Sequence, residues 1–254
     1  MQVKRPGARR ARIVAAAARA RGIIGTTHDA EEWQTAMNDR PGSKDARFPL
    51  LLLAVFLVVA VALGIAPHYR QDWLLENVLV MLALPALVFG FRRLRFSDTS
   101  YAALFVFLVL HEIGAHYTYA EVPWDRWFAA LSGISLHDAL GLSRNHFDRA
   151  IHFAYGLLLT PAVVELVAAR TVSPGVWRWL VPVSLVSASS ALFELFEWAA
   201  AVCFGGDLGE AYLGTQGDPW DAQKDMFLAL LGSVVAVTVL AVVSGHRRRR
   251  AAAG

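Results

Sequence analysis

The residues with the clearest chemical potential lie in one stretch, residues 110–119, of sequence LHEIGAHYTY. It contains two histidines, His111 and His116, and one acid, Glu112. The stretch follows an apolar run that is typical of a membrane-spanning helix. Ionisable groups at membrane depth are costly, and they usually face the interior of a helix bundle or a wet cavity. We therefore expect polar side chains from other helices to meet them there.

The composition indicates that such helices exist, because 56% of the 254 residues are hydrophobic, 18% are charged, and the hydrophobic residues are grouped in long runs. One cysteine, Cys203, excludes an intramolecular disulfide and a metal-thiolate cluster.

The sequence predicts an all-α polytopic transmembrane bundle of about six spans. These are residues 48–66, 73–91, 97–119, 146–168, 179–204 and 220–243. Residues 120–144 are rich in aromatic side chains and are expected to form an interfacial or re-entrant connection.

The basic residues predict the orientation of the bundle. If the N-terminus is cytoplasmic and the spans alternate, 19 of the 24 lysines and arginines fall on the cytoplasmic side. The five others are Arg70, Arg126, Arg144, Arg149 and Lys224. This bias places both termini in the cytoplasm. Since the basic residues are topology signals rather than a patch with interleaved aromatics, no nucleic-acid partner is expected. We expect a disordered basic tail (1–46), a six-span domain (47–245) and a short basic tail (246–254).

With this orientation, the unusual polar residues of five helices fall in the outer half of the membrane. Two sets repeat the spacing i, i+3, i+7 of one helix face. They are Asn145, Asp148 and His152, and Asp218, Asp221 and Asp225. The same layer contains Glu76, His146, Glu194, Glu197 and Gln216.

His111 and His116 do not share a helix face. Five residues of a regular helix separate their side chains by about 140°. Either His111 has another partner, or the helix is irregular near Gly114.

Several of these residues also have ordinary structural explanations. Asn145 and Asp148 are a suitable N-cap and first-turn acid for the fourth span. Asp218 before Pro219 is a typical helix cap with proline in the first turn. The complete set is harder to explain, because many carboxylates and imidazoles cannot all be ionised and unpaired at one depth. Either a divalent cation balances the negative charge of the carboxylates, with His, Asp and Glu as suitable ligands, or protonation of the carboxylates removes that charge, as in a proton relay.

Four motifs together resemble the YjdF-like family of multi-spanning bacterial inner-membrane proteins. They are HEIGAHYTY, NHFDRAIHFAYG, ELFEW and GTQGDPWDAQKDM, and the resemblance covers about residues 48–243. It implies an inner-membrane location and a shared polar site, but no substrate. The layout is more loosely similar to transmembrane hydrolases of the alkaline ceramidase type, which hold zinc with histidines and an aspartate. The number of spans and the histidine spacing differ, so zinc hydrolysis is an analogy.

We expect a metal-dependent enzyme in the lipid bilayer that hydrolyses a lipid-derived or other small-molecule substrate near the outer surface. A bound metal, zinc before iron or manganese, would lower the pKa of a water toward about 7. The candidate ligands are His111, His116, His146, Asp148 and His152. Glu112, Glu194 and Glu197 are the candidate bases or orienting groups, and Glu76, Asn145, Gln216, Asp218, Asp221 and Asp225 are expected to line the site. Two alternatives stay open, a proton-coupled transporter and a structural or assembly protein.

Overall fold

The computed structural model describes residues 45–170, 175–206 and 213–253, and these ranges contain eight helices and no β-strand. The helices are α1 (Arg47–Gly64), α2 (Arg70–Gly90), α3 (Asp98–His116), α4 (Trp124–Ser132), α5 (Leu136–Leu140), α6 (Phe147–Arg170), α7 (Trp177–Phe204) and α8 (Asp221–Ala253). Six of them, all except α4 and α5, are long and apolar enough to cross a membrane. The predicted all-α bundle with six spans is confirmed.

Most predicted spans begin and end within a few residues of the helices. The two clear differences lie at C-terminal ends. α3 ends at His116, because Thr118 and Tyr119 adopt left-handed backbone conformations that a helix cannot continue. α8 continues through the basic run to Ala253, beyond the predicted span. Nearly all of the predicted tail 1–46 lies outside the described residues.

The centre of the bundle is the pair α6 and α8, which has the most extensive helix–helix contact in the described chain. Their backbones touch because small residues lie at the crossing. A Cβ atom added to Gly156 would lie 1.9 Å from the carbonyl oxygen of Ala229, and one added to Gly232 would lie 2.1 Å from that of Phe153. One turn away, the hydroxyl of Thr160 donates a 2.9 Å hydrogen bond to Ser233. Small residues with such hydrogen bonds are the usual means of close helix packing in lipid.

The remaining long helices surround this pair. α3 and α7 both pack against α6, α7 also packs against α8, and α1 and α2 pack on α3. Glu165 of α6 fixes the beginning of α3, because its carboxylate accepts hydrogen bonds from the Ser97 N–H, the Ser97 hydroxyl and the Ser100 hydroxyl at 2.8, 2.7 and 2.9 Å. Glu165 therefore has a structural role at the end of the bundle opposite to the residues described below.

The two short helices α4 and α5 form a connected unit. Asp125 of α4 accepts hydrogen bonds from the Ser135 hydroxyl at 2.9 Å and from the Leu136 N–H at 2.7 Å. The unit presents large apolar side chains outward, and Leu131 is 91% exposed. An outward apolar surface on a short helix agrees with the interfacial connection predicted for residues 120–144.

Candidate functional site

The close crossing of α6 and α8 brings three potential metal ligands together. His152 lies one turn before Gly156 on α6, and Asp225 lies one turn before Ala229 on α8. Asp148 lies one further turn along α6, on the same face as His152. One ligand atom from each of Asp148, His152 and Asp225 lies within 4.8 Å of the other two. These three residues form the ligand group, and it is the one group of this kind among the described residues.

Helix α7 adds a fourth residue, the acid Glu194, beside the ligand group. The Nε2 atom of His152 lies 3.6 Å from Oδ1 of Asp148 and also 3.6 Å from Oε1 of Glu194. These separations are longer than a usual N–H···O hydrogen bond of 2.7–3.2 Å. Oε1 of Glu194 and Oδ1 of Asp225 are buried and have no hydrogen-bond partner among the described residues. Two buried acceptor oxygens near His152 therefore have no hydrogen-bond donor within the described part of the chain.

The acidic lining continues beyond the ligand group into a narrow cavity. This acid cavity is lined by Asp72, Glu76, Asp148 and Glu197, together with Thr118, Tyr119, Leu213 and Gly214. Asp72 and Glu76 are buried on one face of α2, and in the ranges that the structure describes both oxygens of Asp72 lack a hydrogen-bond partner. Glu197 of α7 is a neighbour of Glu194. Carboxyl groups from α2, α6, α7 and α8 thus converge at one end of the bundle.

The basic residues near this end form ion pairs outside the acid cavity. Arg144 contacts Asp221 at 2.5 Å, Arg149 contacts Asp218, and Lys224 contacts Asp218 at 2.5 Å. Arg149 also lies 3.4 Å from Asp221. In the described ranges, no lysine or arginine pairs with Asp148, Glu194 or Asp225. We call the cluster Arg144, Arg149, Asp218, Asp221 and Lys224 the ion-pair rim.

The ion-pair rim fixes the charge of Asp218. Its pKa is lowered to about 2 by a hydrogen bond from Lys224, the Trp220 N–H and a hydrogen bond from Arg149, and these effects outweigh desolvation. The bond from the Trp220 N–H is 3.1 Å long, which gives Asp218 the helix-capping role that its position before Pro219 predicts.

Asn145 and Gln216 connect the loops beside the rim. The side chain of Gln216 accepts a hydrogen bond from the Asn145 N–H at 2.9 Å and donates one to the Asn145 carbonyl at 3.1 Å. The Asn145 side chain accepts from Trp124 Nε1 at 2.6 Å and from the Phe147 N–H at 2.9 Å. Both side chains are occupied by these bonds, and they hold the loop before α8 against the start of α6.

The motif HEIGAHYTY is explained by a contact that its spacing does not reveal. After α3 ends, the chain folds back so that the Tyr119 hydroxyl lies 2.5 Å from Nδ1 of His111. Gly114 makes room for this, since a Cβ atom there would lie 2.5 Å from the Tyr119 ring. Tyr119 is therefore the separate partner of His111. This is one of the two possibilities that the sequence left open, the other being an irregular helix near Gly114.

Three further candidates lie apart from the ligand group. His116 is bonded through Nδ1 to the Leu63 carbonyl of α1 at 2.7 Å, and His146 is bonded to the Arg144 carbonyl at 2.8 Å. Glu112 lines an apolar groove beside α1 and α2 rather than the acid cavity. The predicted set of four histidines is thus not assembled. One histidine, His152, lies in the group, and carboxylates replace the others.

Sequence reasoning missed the roles of Asp72, Arg144 and Asp225. The i, i+4 spacing of Asp72 and Glu76 was a usable signal, because it places both on one face of α2. Asp225 was expected only to line the site, and its approach to His152 depends on the α6–α8 crossing. Arg144 precedes α6 and reaches Asp221 across 77 positions of sequence, for which no local pattern exists.

The comparisons with known proteins define the class. Residues 48–246 match the DUF2238 family of predicted membrane proteins, and the chain belongs to that family. It is 35% identical over 208 residues to the inner membrane protein YjdF of Escherichia coli strain K12, an alignment that covers 80% of this chain and 94% of that protein. No solved structure matches the chain. The resemblance to the YjdF-like family is confirmed, and the chain is a multi-pass membrane protein.

Proposed function

We propose that the protein is a metal-dependent membrane hydrolase whose ion is held by Asp148, His152 and Asp225, with Glu194 as a fourth ligand. The observation that carries the proposal is the pair of 3.6 Å separations around Nε2 of His152. They are too long for hydrogen bonds. They are close to the distance of about 3.4 Å between two ligand atoms that each lie about 2.1 Å from a tetrahedral ion.

The charge balance supports a cation at this position. Three carboxyl groups and one imidazole meet in a buried space, and the nearby arginines and Lys224 are engaged with Asp218 and Asp221. Buried carboxylates without a compensating charge cost several kcal/mol each. A divalent cation removes this cost.

The donor set fits zinc, and it also fits iron or manganese, because imidazole suits zinc and iron whereas carboxylates suit manganese. Such an ion would supply a Lewis acid and an acidic water for hydrolysis. Glu197 is the proposed general base, since it is a neighbour of Glu194 and lines the cavity next to Asp148.

The proposed substrate is a lipid-derived molecule that enters from the outer membrane surface. The positive-inside bias supports an orientation with both termini in the cytoplasm, which directs the acid cavity and the ion-pair rim outward. The exposed apolar side chains of α4 and α5 beside this end support a position at the lipid headgroups.

Metal analysis of detergent-purified protein without a histidine tag tests the proposal. We expect about one equivalent of zinc, iron or manganese, and loss of most of it in His152→Ala and Asp225→Asn. His116→Ala is the matched control and should retain the metal, because His116 is bonded to α1. Folded wild-type protein that stays metal-free after incubation with each ion contradicts the proposal.

Hydrolysis is tested separately with the metal-loaded protein and a pool of membrane lipid esters and amides. Glu197→Gln should keep its metal and lose roughly 10²- to 10⁴-fold in rate, which is the usual contribution of a general base. An unchanged rate in this variant excludes Glu197 as the base.

A proton-coupled carrier is the second candidate, and one observation favours it. The acids of the ligand group continue through Glu197 toward Glu76 and Asp72, which is a continuous series of carboxyls along one cavity. If the purified protein is metal-free, reconstituted vesicles should then show substrate-dependent proton movement that Glu194→Gln abolishes. Metal-dependent hydrolysis without proton movement excludes this candidate.

A further inference from the structure

The acid cavity contains two carboxyl groups of α2 that the proposed metal site does not use. Asp72 and Glu76 both line the cavity, and they are 1% and 4% exposed. In the described chain, neither oxygen of Asp72 has a hydrogen-bond partner, and Oε2 of Glu76 has none either. Asp72 lies in the first turn of α2, where an acid usually interacts with the free N–H groups of the helix start. Because its oxygens do not bond to those groups, helix capping does not explain its burial.

The negative charge of the cavity is not balanced by the proposed metal ion. An ion held by the ligand group and Glu194 would already contact three carboxylates. The basic side chains near this end are engaged in the ion-pair rim, and within the described ranges none of them pairs with Asp72 or Glu76. Burial of ionised carboxylates without a counter-charge is strongly unfavourable. The cavity is therefore suited to a ligand that carries a positive charge and hydrogen-bond donors.

The size of the cavity indicates the kind of cation. Its volume is about 10 Å³, which is the room that the centre of about one water molecule needs. A primary ammonium group is compact and has three N–H donors. It holds its acceptors at about 2.8 Å, whereas a metal ion holds them at about 2.1 Å. Among the described residues, three ligand atoms spaced closely enough for a metal ion occur in the ligand group and not among the acids of the cavity.

The cavity lies where several helices end. Thr118 and Tyr119 line it just after the end of α3, and Leu213 and Gly214 line it from the loop before α8. This is the level at which lipid headgroups and water meet a membrane protein. Asp148 lines the cavity and also belongs to the ligand group. A group bound in the cavity would therefore lie beside the metal site.

We propose that the acid cavity binds the primary ammonium group of a ligand, with Asp72, Glu76 and Asp148 as its acceptors. The assignment of this ligand as the substrate rests on the proposed hydrolase function, and it makes the substrate an amine-bearing molecule. The shared carboxyl group of Asp148 holds the amine next to the metal. The binding of the ammonium group itself does not depend on hydrolysis, and the amine of a lipid and that of a water-soluble molecule fit the same chemistry.

Three ligands with one alkyl chain test the ammonium site. Dodecylamine is protonated at pH 7, as a lysine side chain is. Dodecyltrimethylammonium has the same charge but no N–H donor, and dodecanol is neutral. Native mass spectrometry of the full chain should show a preference of roughly tenfold or more for dodecylamine over both, as charged hydrogen bonds supply. Equal binding of the two cations overturns the proposal. Competition with ethylamine identifies the source, because displacement at comparable concentration indicates a water-soluble amine and its failure indicates an amine on a lipid chain.

Substitutions that remove one charge test the acceptors. Asp72→Asn and Glu76→Gln change the size of the side chain little, and each should weaken dodecylamine binding roughly tenfold or more. Glu121→Gln is the matched control, since its side chain is 49% exposed and pairs with His68 at 3.0 Å. The control should bind dodecylamine as the wild type does. Wild-type affinity in both cavity variants, or an equal loss in the control, overturns the proposal.

Metal content separates this proposal from the proposed function. Asp72 and Glu76 do not belong to the ligand group, so Asp72→Asn and Glu76→Gln should retain the metal, which also shows that these variants are folded. A wild-type protein that is metal-free but selects dodecylamine contradicts the hydrolase and supports the ammonium site. A protein that binds the metal without selecting dodecylamine contradicts the ammonium site alone.

Discussion

The substitution Gly156→Ala tests whether the α6–α8 crossing assembles the site. The added Cβ atom would lie 1.9 Å from the Ala229 carbonyl oxygen, and ordinary contact begins at 3.4 Å. The obstructing atom belongs to the backbone and cannot rotate away, so the two helices must separate by about 1.5 Å. Such overpacking costs about 1–3 kcal/mol, and the stretched Thr160–Ser233 hydrogen bond adds about 0.6 kcal/mol. We expect a loss of about 1.5–3.5 kcal/mol in the free energy of unfolding.

The assay is equilibrium unfolding in mixed micelles, followed by far-UV circular dichroism. Gly90→Ala is the matched control, because no atom lies within 4 Å of a Cβ atom there. Alanine in place of helical glycine should then be neutral or stabilising by about 0.5–1 kcal/mol. Metal content is the second readout and should fall in Gly156→Ala, since Asp225 moves away from His152. If Gly156→Ala is as stable as Gly90→Ala, the crossing is not as close as described, and the reasoning fails.

Three further predictions concern the ion pairs and caps. Arg144→Leu leaves the carboxylate of Asp221, which is 5% exposed, without its nearest partner, and should lower the free energy of unfolding by about 3–5 kcal/mol. Adding Asp221→Asn should restore most of this loss. A double variant that is no more stable than Arg144→Leu contradicts the pairing. The pKa of Asp218 is depressed from 3.8 to about 2, so its stabilising contribution is complete above about pH 4 and is lost as the pH falls toward 2. Asp218→Asn should therefore lose less stability than the wild type in that window, and parallel pH profiles refute the assignment. Glu165→Ala removes the acceptor of three hydrogen bonds at the start of α3 and should cost about 1–3 kcal/mol without changing metal content, whereas metal loss contradicts a purely structural role.

The long helices could be predicted because their signal is local. A run of about 20 apolar residues satisfies its backbone hydrogen bonds only as a helix within a bilayer, and the spacing of Asp148 and His152 on one face follows from helix geometry alone. The gathering of acids at one end of the bundle was predictable for the same reason, since alternating spans carry their polar ends to one side.

The membership of the candidate ligand group could not be predicted, because it depends on contacts between distant segments. Gly156 and Gly232 determine how closely α6 and α8 approach, and this decides that Asp225 rather than His146 meets His152. His111 and His116 read as ligands in the sequence, but Tyr119 and the Leu63 carbonyl bind them instead. Histidines near a helix end have several kinds of partner, and their spacing alone does not distinguish these.

The most direct test of the central claim is the X-ray absorption spectrum of the protein loaded with zinc. A site built from Asp148, His152, Asp225 and Glu194 should show oxygen and nitrogen ligands at about 2.0–2.2 Å with the scattering of a single imidazole. That imidazole signal should disappear in His152→Ala. Two or more imidazoles, or one that persists in His152→Ala, would contradict the carboxylate-rich site and restore the histidine-rich set indicated by the sequence.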